Sequence, residues 1–218
     1  MTTGERAIVL FGDVVDSRMD PAAATAWLRT LCMELDMLYA EDRVAGFGFT
    51  LGDELQGLLT PSADPFRAVL HAGLHDGYRV MRWAVAAGPI EAGTGPATER
   101  SGQAFIAARQ ALGDARRHHD RLVVRTGDPR ADDLLDDLAP LLVELLDGMS
   151  DKQRVVARLL VGEGLRQAEA ADRLGVARAT ISVVARRARA RSIGRLTRAL
   201  RTIFAEGIAR SEGAEATA

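Results

Sequence analysis

The chain has 218 residues, of which 47% are hydrophobic and 27% charged, which suits one large domain or two small ones. Its apolar runs stay well short of the ~20 residues that a membrane-spanning helix needs, so we exclude an integral membrane protein. The first residues place charges before a short apolar run that ends at Asp13, unlike a secretory signal, and we expect a cytoplasmic location. Cys32 is the only cysteine, which excludes intramolecular disulfides and a multi-cysteine zinc site.

Charge is divided unevenly along the chain. Residues 1–148 carry 14 Arg and 23 Asp plus Glu, a net charge of −9, whereas residues 149–218 carry 14 Lys plus Arg and 7 Asp plus Glu, a net charge of +7. The basic segment also contains ordinary core-forming apolar residues. This combination indicates an anionic partner, nucleic acid before membrane.

The first 126 residues alternate short apolar runs with segments of helical periodicity. The run at 7–14 predicts a buried strand that ends in acidic turn residues, and Pro21 opens an amphipathic helix that ends near Tyr39. A Gly52-Asp53 pair between two apolar runs predicts a tight hairpin with Asp53 at its tip. The later predicted elements of this part are a helix at 65–74, a strand at 78–87, a helix at 102–118 and a strand at 121–126.

This order of elements predicts an α/β (α+β) domain in which a mixed sheet packs against helices, because the strands of the central hairpin must be antiparallel. From residue 131 onward the sequence shows only helical periodicity. We therefore predict an α/β domain over 1–128, a helical linker over 129–149, a helical domain over 150–210 and a frayed tail over 211–218. The apolar stripe of a predicted helix at 195–208 would close the small helical domain.

The helical domain carries the sharper functional signal. Two short helices are predicted at 165–174 and 177–190, with Gly175 in the turn between them. This pattern is typical of helix-turn-helix DNA-binding units, whose second helix enters the major groove, where Arg reads guanine edges and Thr or Ser contact phosphates and bases. The alternative is a plain helical hairpin with a solvated basic face. The candidate DNA-binding residues are Arg178, Thr180, Ser182, Arg186 and Arg187.

The same stretch contains the runs MSDKQRVVARLL and RQAEAADRLGVARATISVVARRAR. These runs resemble region 4 of sigma factors and the related tail of response regulators. The resemblance implies binding to double-stranded DNA without indicating which sequence. It also leaves open a protein that contacts RNA polymerase.

Two carboxylates are candidates for a metal site. Asp13 ends the first strand and Asp53 lies at the hairpin tip, so both would meet at one end of a sheet in which these strands are neighbours. Divalent cations such as Mg²⁺ take oxygen ligands, and paired carboxylates hold the metal ions of phosphoryl transfer. The alternative is that both residues only cap turns.

Three motifs occur in order along the chain: GDVVDSR at 12–18, GDELQG at 52–57, and GQAF followed by ARQAL within 102–112. Together they resemble the class III nucleotide cyclase core. More closely still they resemble the SatD-like family of bacterial proteins, which joins such a core to a C-terminal helix-turn-helix. The resemblance implies a cyclase-like fold, a regulatory role, and a site in which Asp13 and Asp53 hold Mg²⁺ with a nucleotide.

Two positions depart from a working cyclase. Phe49 stands where such enzymes select the purine with a lysine, and Phe105 lies near the place of their transition-state asparagine. Arg109 remains as a phosphate ligand, so Phe49 and Arg109 are the candidate ligand-binding residues. The pattern favours a DNA-binding transcriptional regulator with a catalytically degenerate domain that senses a nucleotide or metal. An active cyclase or a related phosphotransfer enzyme is the alternative.

The two parts of the chain also favour a homodimer. Cyclase-like cores form their site between two copies, and a helix-turn-helix gains affinity when two-fold symmetry presents two recognition helices about one DNA turn, ~34 Å, apart. We expect the N-terminal domain to form the contact between the two copies.

Overall fold

The computed structural model describes residues 5–49, 54–118 and 120–215. Within these residues the strands are β1 (Arg6–Val14), β2 (Arg43–Phe49), β3 (Glu54–Leu59), β4 (Met81–Pro89) and β5 (Leu122–Arg125). The helices are α1 (Pro21–Leu38), α2 (Phe66–Gly73), α3 (Gln103–His118), α4 (Pro129–Asp147), α5 (Asp151–Ala157), α6 (Gln167–Leu174), α7 (Arg178–Arg187) and α8 (Ala190–Glu215). No helix in the described part of the chain is long and apolar enough to cross a membrane.

The strands form one mixed sheet in the order β2-β3-β1-β4-β5. β1 is antiparallel to both β3 and β4, β2 is antiparallel to β3, and β4 is parallel to β5. The first four strands with α1 and α2 follow the βαββαβ order of a ferredoxin-like sheet, and α3 forms the crossover between the parallel pair. The mixed-sheet α/β class predicted from the sequence is confirmed, whereas the tip of the predicted hairpin, residues 50–53, lies outside the described residues.

Helices cover both faces of the sheet around β1. Ile8 and Leu10 belong to a core shared with α1, α2 and α4, whereas Val9 and Phe11 belong to a second core under α3. A strand that is covered on both faces has a continuous apolar sequence rather than an alternating one. The apolar run predicted as a buried strand is therefore the central strand of the sheet.

The C-terminal helices pack against the sheet domain. α4, which occupies most of the predicted linker, contacts β5 and α2 and lines the same core as α1. α8 adds Leu200, Phe204 and Ile208 to that core, and the ring of Phe204 lies edge-on to Phe66 of α2, with 5.9 Å between centroids. One continuous apolar core therefore crosses the predicted boundary after residue 128. The sequence predicted that the apolar stripe of α8 closes the small helical domain. In the structure the stripe packs instead into the core shared with the sheet domain.

α8 is longer than the sequence predicts. It begins at Ala190 and continues to Glu215, so helix extends into the segment expected to fray from residue 211. Close packing holds this end: a Cβ at Gly207 would lie 2.6 Å from both Ala131 and Thr126, so only glycine permits the contact. Local sequence could not predict this stabilisation, because α4 and the end of β5 supply it from far along the chain.

A buried arginine adds a polar contact between the helical part and the sheet domain. The Arg154 guanidinium of α5 donates to the carbonyl of Gly73 and, over 3.3 Å, to the carbonyl of Met149. It also lies over the ring of Tyr78, 3.8 Å from the centroid. Burial lowers the pKa of Arg154 from its usual value, although nearby Asp151 raises it.

We expect Phe204→Ala to lower the free energy of unfolding by about 3–5 kcal/mol, because the substitution removes a buried aromatic ring from the shared core. Far-UV circular dichroism and tryptophan fluorescence should report one coincident transition during chemical denaturation. Ile106→Ala, on the exposed side of α3, is the control and should change stability by less than about 0.5 kcal/mol. Separate melting of the C-terminal helices would contradict the shared core.

Candidate functional site

The first candidate site lies where three adjacent strands meet. The register of the sheet places Asp13 of β1 opposite Glu54 of β3 on one side and opposite Arg82 of β4 on the other. Asp13 follows Val9 and Phe11 at intervals of two residues, so its side chain lies on the face that α3 covers. Only 4% of Asp13 is exposed, and such a buried carboxylate requires partners.

Arginines supply those partners. Arg116 of α3 binds both oxygens of the Asp13 carboxylate, with Nη2 3.0 Å from Oδ1 and Nε 3.2 Å from Oδ2. Nη1 of Arg82 lies 3.2 Å from the same Oδ2. Arg109, also on α3, pairs with Glu54. We call Asp13, Glu54, Arg82, Arg109 and Arg116 the sheet-end cluster.

Among the described residues, three guanidinium groups of the sheet-end cluster face two carboxylates, which gives this part of the cluster an excess of positive charge. The side chains of Arg109 and Arg116 are about half exposed, at 55% and 48%, whereas that of Glu54 is 12% exposed. Arginine forks bind phosphate oxygens well, so this balance of charge suits an anionic ligand. Sequence reasoning missed Glu54, Arg82 and Arg116, because only the strand register and the packing of α3 bring them to Asp13.

The predicted metal pair is only half described. Asp53 lies outside the described residues, so its pairing with Asp13 stays a prediction. Asp13 is already bonded to Arg82 and Arg116, and a divalent cation would have to displace these groups from a site that is already positive. In residues 5–49, 54–118 and 120–215 no group of three His, Cys, Asp or Glu side chains is arranged to hold a metal ion. The described part of the cluster therefore fits an anion better than Mg²⁺.

The two predicted ligand-binding residues lie on opposite faces of the sheet. The Arg109 guanidinium sits over the ring of Phe11 on the α3 face, 4.5 Å from the centroid. Phe49 instead packs against the core under α1 and α2. The pairing of β2 with β3 is irregular between Ala45 and Gly48, and such an irregularity changes which face the following side chains occupy. The structure therefore does not bring Phe49 and Arg109 into one pocket.

A second candidate site begins at the turn between α6 and α7. Gly175 ends α6 in the left-handed conformation, with φ +65°, and the amide of Val176 donates to the carbonyl of Ala171 over 3.1 Å, as in a Schellman motif. Ile181 and Ala185 of α7 then pack into a small core with α5 and α6. This packing leaves the opposite face of α7 exposed.

The five predicted DNA-binding residues are all exposed on α7. They do not share one side of the helix. Arg178, Ser182 and Arg186 face α8, whereas Thr180 and Arg187 lie at helical positions turned away from it. In the described part of the chain, none of the three arginines has an ion-pair partner.

The arginines of α7 continue along α8 and line a groove of about 1160 Å³ between the two helices. We call it the α7–α8 groove. No acidic side chain of the described residues lines it. The α8 arginines were not predicted as site residues, because their approach to α7 depends on how the two helices cross. Six arginines of the groove have no ion-pair partner among the described residues: Arg178, Arg186, Arg189, Arg191, Arg195 and Arg198.

No protein-family model matches the chain. No curated protein matches it either. Two solved structures of bacterial light-regulated adenylyl cyclases are similar to 55% of the chain, at 15% and 13% identity with TM-scores of 0.40 and 0.38. The similar region covers 75% of the first cyclase chain and 43% of the second. Similarity at this level carries no argument about activity, so the functional argument rests on the side chains.

We expect Asp13→Asn to lower the free energy of unfolding by about 1–3 kcal/mol, because it weakens charge-assisted hydrogen bonds to Arg82 and Arg116. Chemical denaturation should show that Asp13→Asn and Arg116→Gln together cost less than their separate effects predict, since both remove the same contact. Asp133→Asn, at an exposed position of α4, is the control. Fully additive effects would show that the Asp13–Arg116 contact does not stabilise the fold.

Proposed function

We propose that this protein is a DNA-binding regulator whose α/β domain binds a phosphate-bearing ligand. The DNA-binding proposal rests on the six arginines of α7, α8 and the junction between them that have no ion-pair partner among the described residues. Surface arginines elsewhere in the protein commonly have carboxylate partners, as in the pairs Arg125–Asp136 and Arg43–Asp36. A set of exposed arginines without such partners supplies the counter-charges that a nucleic-acid backbone needs.

We propose that α6, the turn at Gly175 and α7 form a helix-turn-helix unit. The Schellman turn sets the angle at which α7 leaves α6, and the small core beneath α7 leaves its polar side free. In this arrangement α7 is the recognition helix, with Arg178, Thr180, Ser182, Arg186 and Arg187 available to bases and phosphates. A homodimer that presents two copies of α7 about one DNA turn apart, ~34 Å, would bind a palindromic site.

For the α/β domain we propose ligand sensing rather than catalysis. The sheet-end cluster supplies arginine forks for a phosphate group, and its described carboxylates are occupied by those arginines. Phe105, near the position of a catalytic polar group in cyclases, is a core residue here and packs 6.1 Å from the ring of Phe11. Mg²⁺ bound with a nucleotide through Asp13 and Asp53 is the alternative at this site, and it requires the cation to displace Arg82 and Arg116 from Asp13.

We expect the full-length protein to bind labelled duplex DNA, with an affinity that falls steeply between ~50 and ~200 mM salt. Arg178→Ala and Arg186→Ala should each cost about 1–3 kcal/mol where they contact bases, and should each reduce the salt slope by about 1 where they contact phosphates. Fluorescence anisotropy across a salt series separates these contributions.

The control for this experiment is Arg29→Ala, because Arg29 is also exposed but lies on α1, away from the proposed surface. Its affinity for DNA should match that of the wild type. Unchanged affinity in the Arg178→Ala/Arg186→Ala double variant would refute the assignment of α7 as the recognition helix. Absence of DNA binding by the wild-type protein would refute the proposed function as a whole.

We also expect no cyclic nucleotide when the purified protein is incubated with ATP or GTP and a divalent cation. The physical reason is that Phe49 cannot hydrogen-bond a base from the far face of the sheet and that Asp13 is held by two arginines. Mass spectrometry of the reaction products measures this directly. Robust turnover that Asp13→Asn abolishes would instead establish a catalytic domain.

A further inference from the structure

We propose that the α7–α8 groove is a binding site for a small molecule that carries a chain of phosphates. The groove is concave, and its volume of about 1160 Å³ is of the order found for ligand pockets in proteins. The phosphate chain could belong to a nucleoside polyphosphate or to free inorganic polyphosphate, since both present the same anionic groups.

The arginines of the groove favour an anion with several charges. Arg178 and Arg186 lie on the α7 wall, and Arg191, Arg195 and Arg198 follow one another along α8 at intervals of three or four residues. These guanidinium groups repel each other, and a ligand with several phosphates would relieve that repulsion at more than one position. Arginine forks also match phosphate oxygens in geometry.

Besides its arginines, the groove has apolar side chains, which a surface that only binds the phosphates of a nucleic acid would not need. Aliphatic side chains of Leu70, Leu160, Val161 and Leu165 contribute to the wall of the groove. A pocket that combines apolar walls with a few polar groups is typical of small-molecule sites. An extended phosphate backbone would not require these apolar walls.

Thr197 supplies an independent observation. It lines the groove, is only 2% exposed, and its hydroxyl has no hydrogen-bond partner in the part of the chain that the structure describes. A buried hydroxyl without a partner destabilises a folded protein unless a ligand or solvent molecule completes its hydrogen bonds. Thr197 lies one turn before Arg201 on α8 and both residues line the groove, so a phosphate group bound at this position would take the hydrogen bond.

The position of the groove predicts an effect on DNA binding, and this consequence rests on the proposed function. Arg178, Ser182 and Arg186 line the groove and also belong to the proposed DNA-binding surface. Leu70 belongs to α2 of the sheet domain, so a ligand in the groove would contact both parts of the chain. We therefore expect the ligand to compete with DNA.

Isothermal titration calorimetry on the full-length protein tests the binding step, with inorganic tripolyphosphate and GTP as separate probes and EDTA present. We expect saturable binding of at least one probe, with one molecule per chain in the α7–α8 groove besides any molecule held at the sheet-end cluster. Arg195→Ala/Arg198→Ala should weaken binding roughly tenfold or more, because it removes two phosphate-binding groups. Arg29→Ala is the matched control and should bind like the wild type. Tighter binding of GTP assigns the site to a nucleotide, and equal binding assigns it to the phosphate chain alone.

Thr197→Val distinguishes a binding site with a specific hydrogen-bonding group from a surface that attracts anions by charge alone. It should weaken binding of the probe several-fold while leaving the unfolding midpoint of the ligand-free protein unchanged or higher, because it removes an unsatisfied hydroxyl. A purely structural role would move the midpoint and leave the affinity unchanged.

The proposal is overturned if neither probe binds saturably, or if the arginine or Thr197 variants bind like the wild type. Failure of the wild type to bind DNA, with tripolyphosphate or GTP binding intact, would refute the proposed function and leave this site standing.

Discussion

The packing of α8 against the sheet domain is the contact on which the rest of the structure depends. This 26-residue helix inserts Ile193, Leu200, Phe204 and Ile208 into the core that α1, α2 and α4 share with the sheet. Residues between 190 and 201 of the same helix also form one wall of the α7–α8 groove. Only residues 188 and 189 separate α7 from α8, and Arg189 has the left-handed conformation that turns the chain between them. Because this junction is so short, the packing of α8 also restricts where α7 lies.

Charge has opposite roles in the two candidate sites. In the sheet-end cluster, Asp13 and Glu54 hold three arginines in place, and the buried carboxylate would be costly to bury without them. In the α7–α8 groove the arginines are exposed, and water and salt screen their repulsion over a distance of ~8–10 Å. The first arrangement stabilises the fold and retains a small positive excess. The second leaves binding capacity that an anionic partner can use.

The two sites lie on opposite faces of the sheet, so a ligand in one cannot touch a ligand in the other. The sheet-end cluster is on the α3 face, whereas α2 and α8 cover the other face. α2 nevertheless connects β3 with β4, the strands that hold Glu54 and Arg82, and its residue Leu70 lines the groove.

The sequence by itself determined the order of strands and helices, the burial of the strand that forms β1, the mixed-sheet class and the concentration of arginine near the C-terminus, because these depend on local periodicity and composition. Only the tertiary structure decided that Asp13 meets Glu54, Arg82 and Arg116, and that Phe49 faces away from Arg109, because strand register and a local irregularity set which side chains share a face. The α7–α8 groove also depends on the tertiary structure. Its arginines are close in sequence, but their convergence depends on α8 being held by residues more than a hundred positions away, and no local pattern records such a contact.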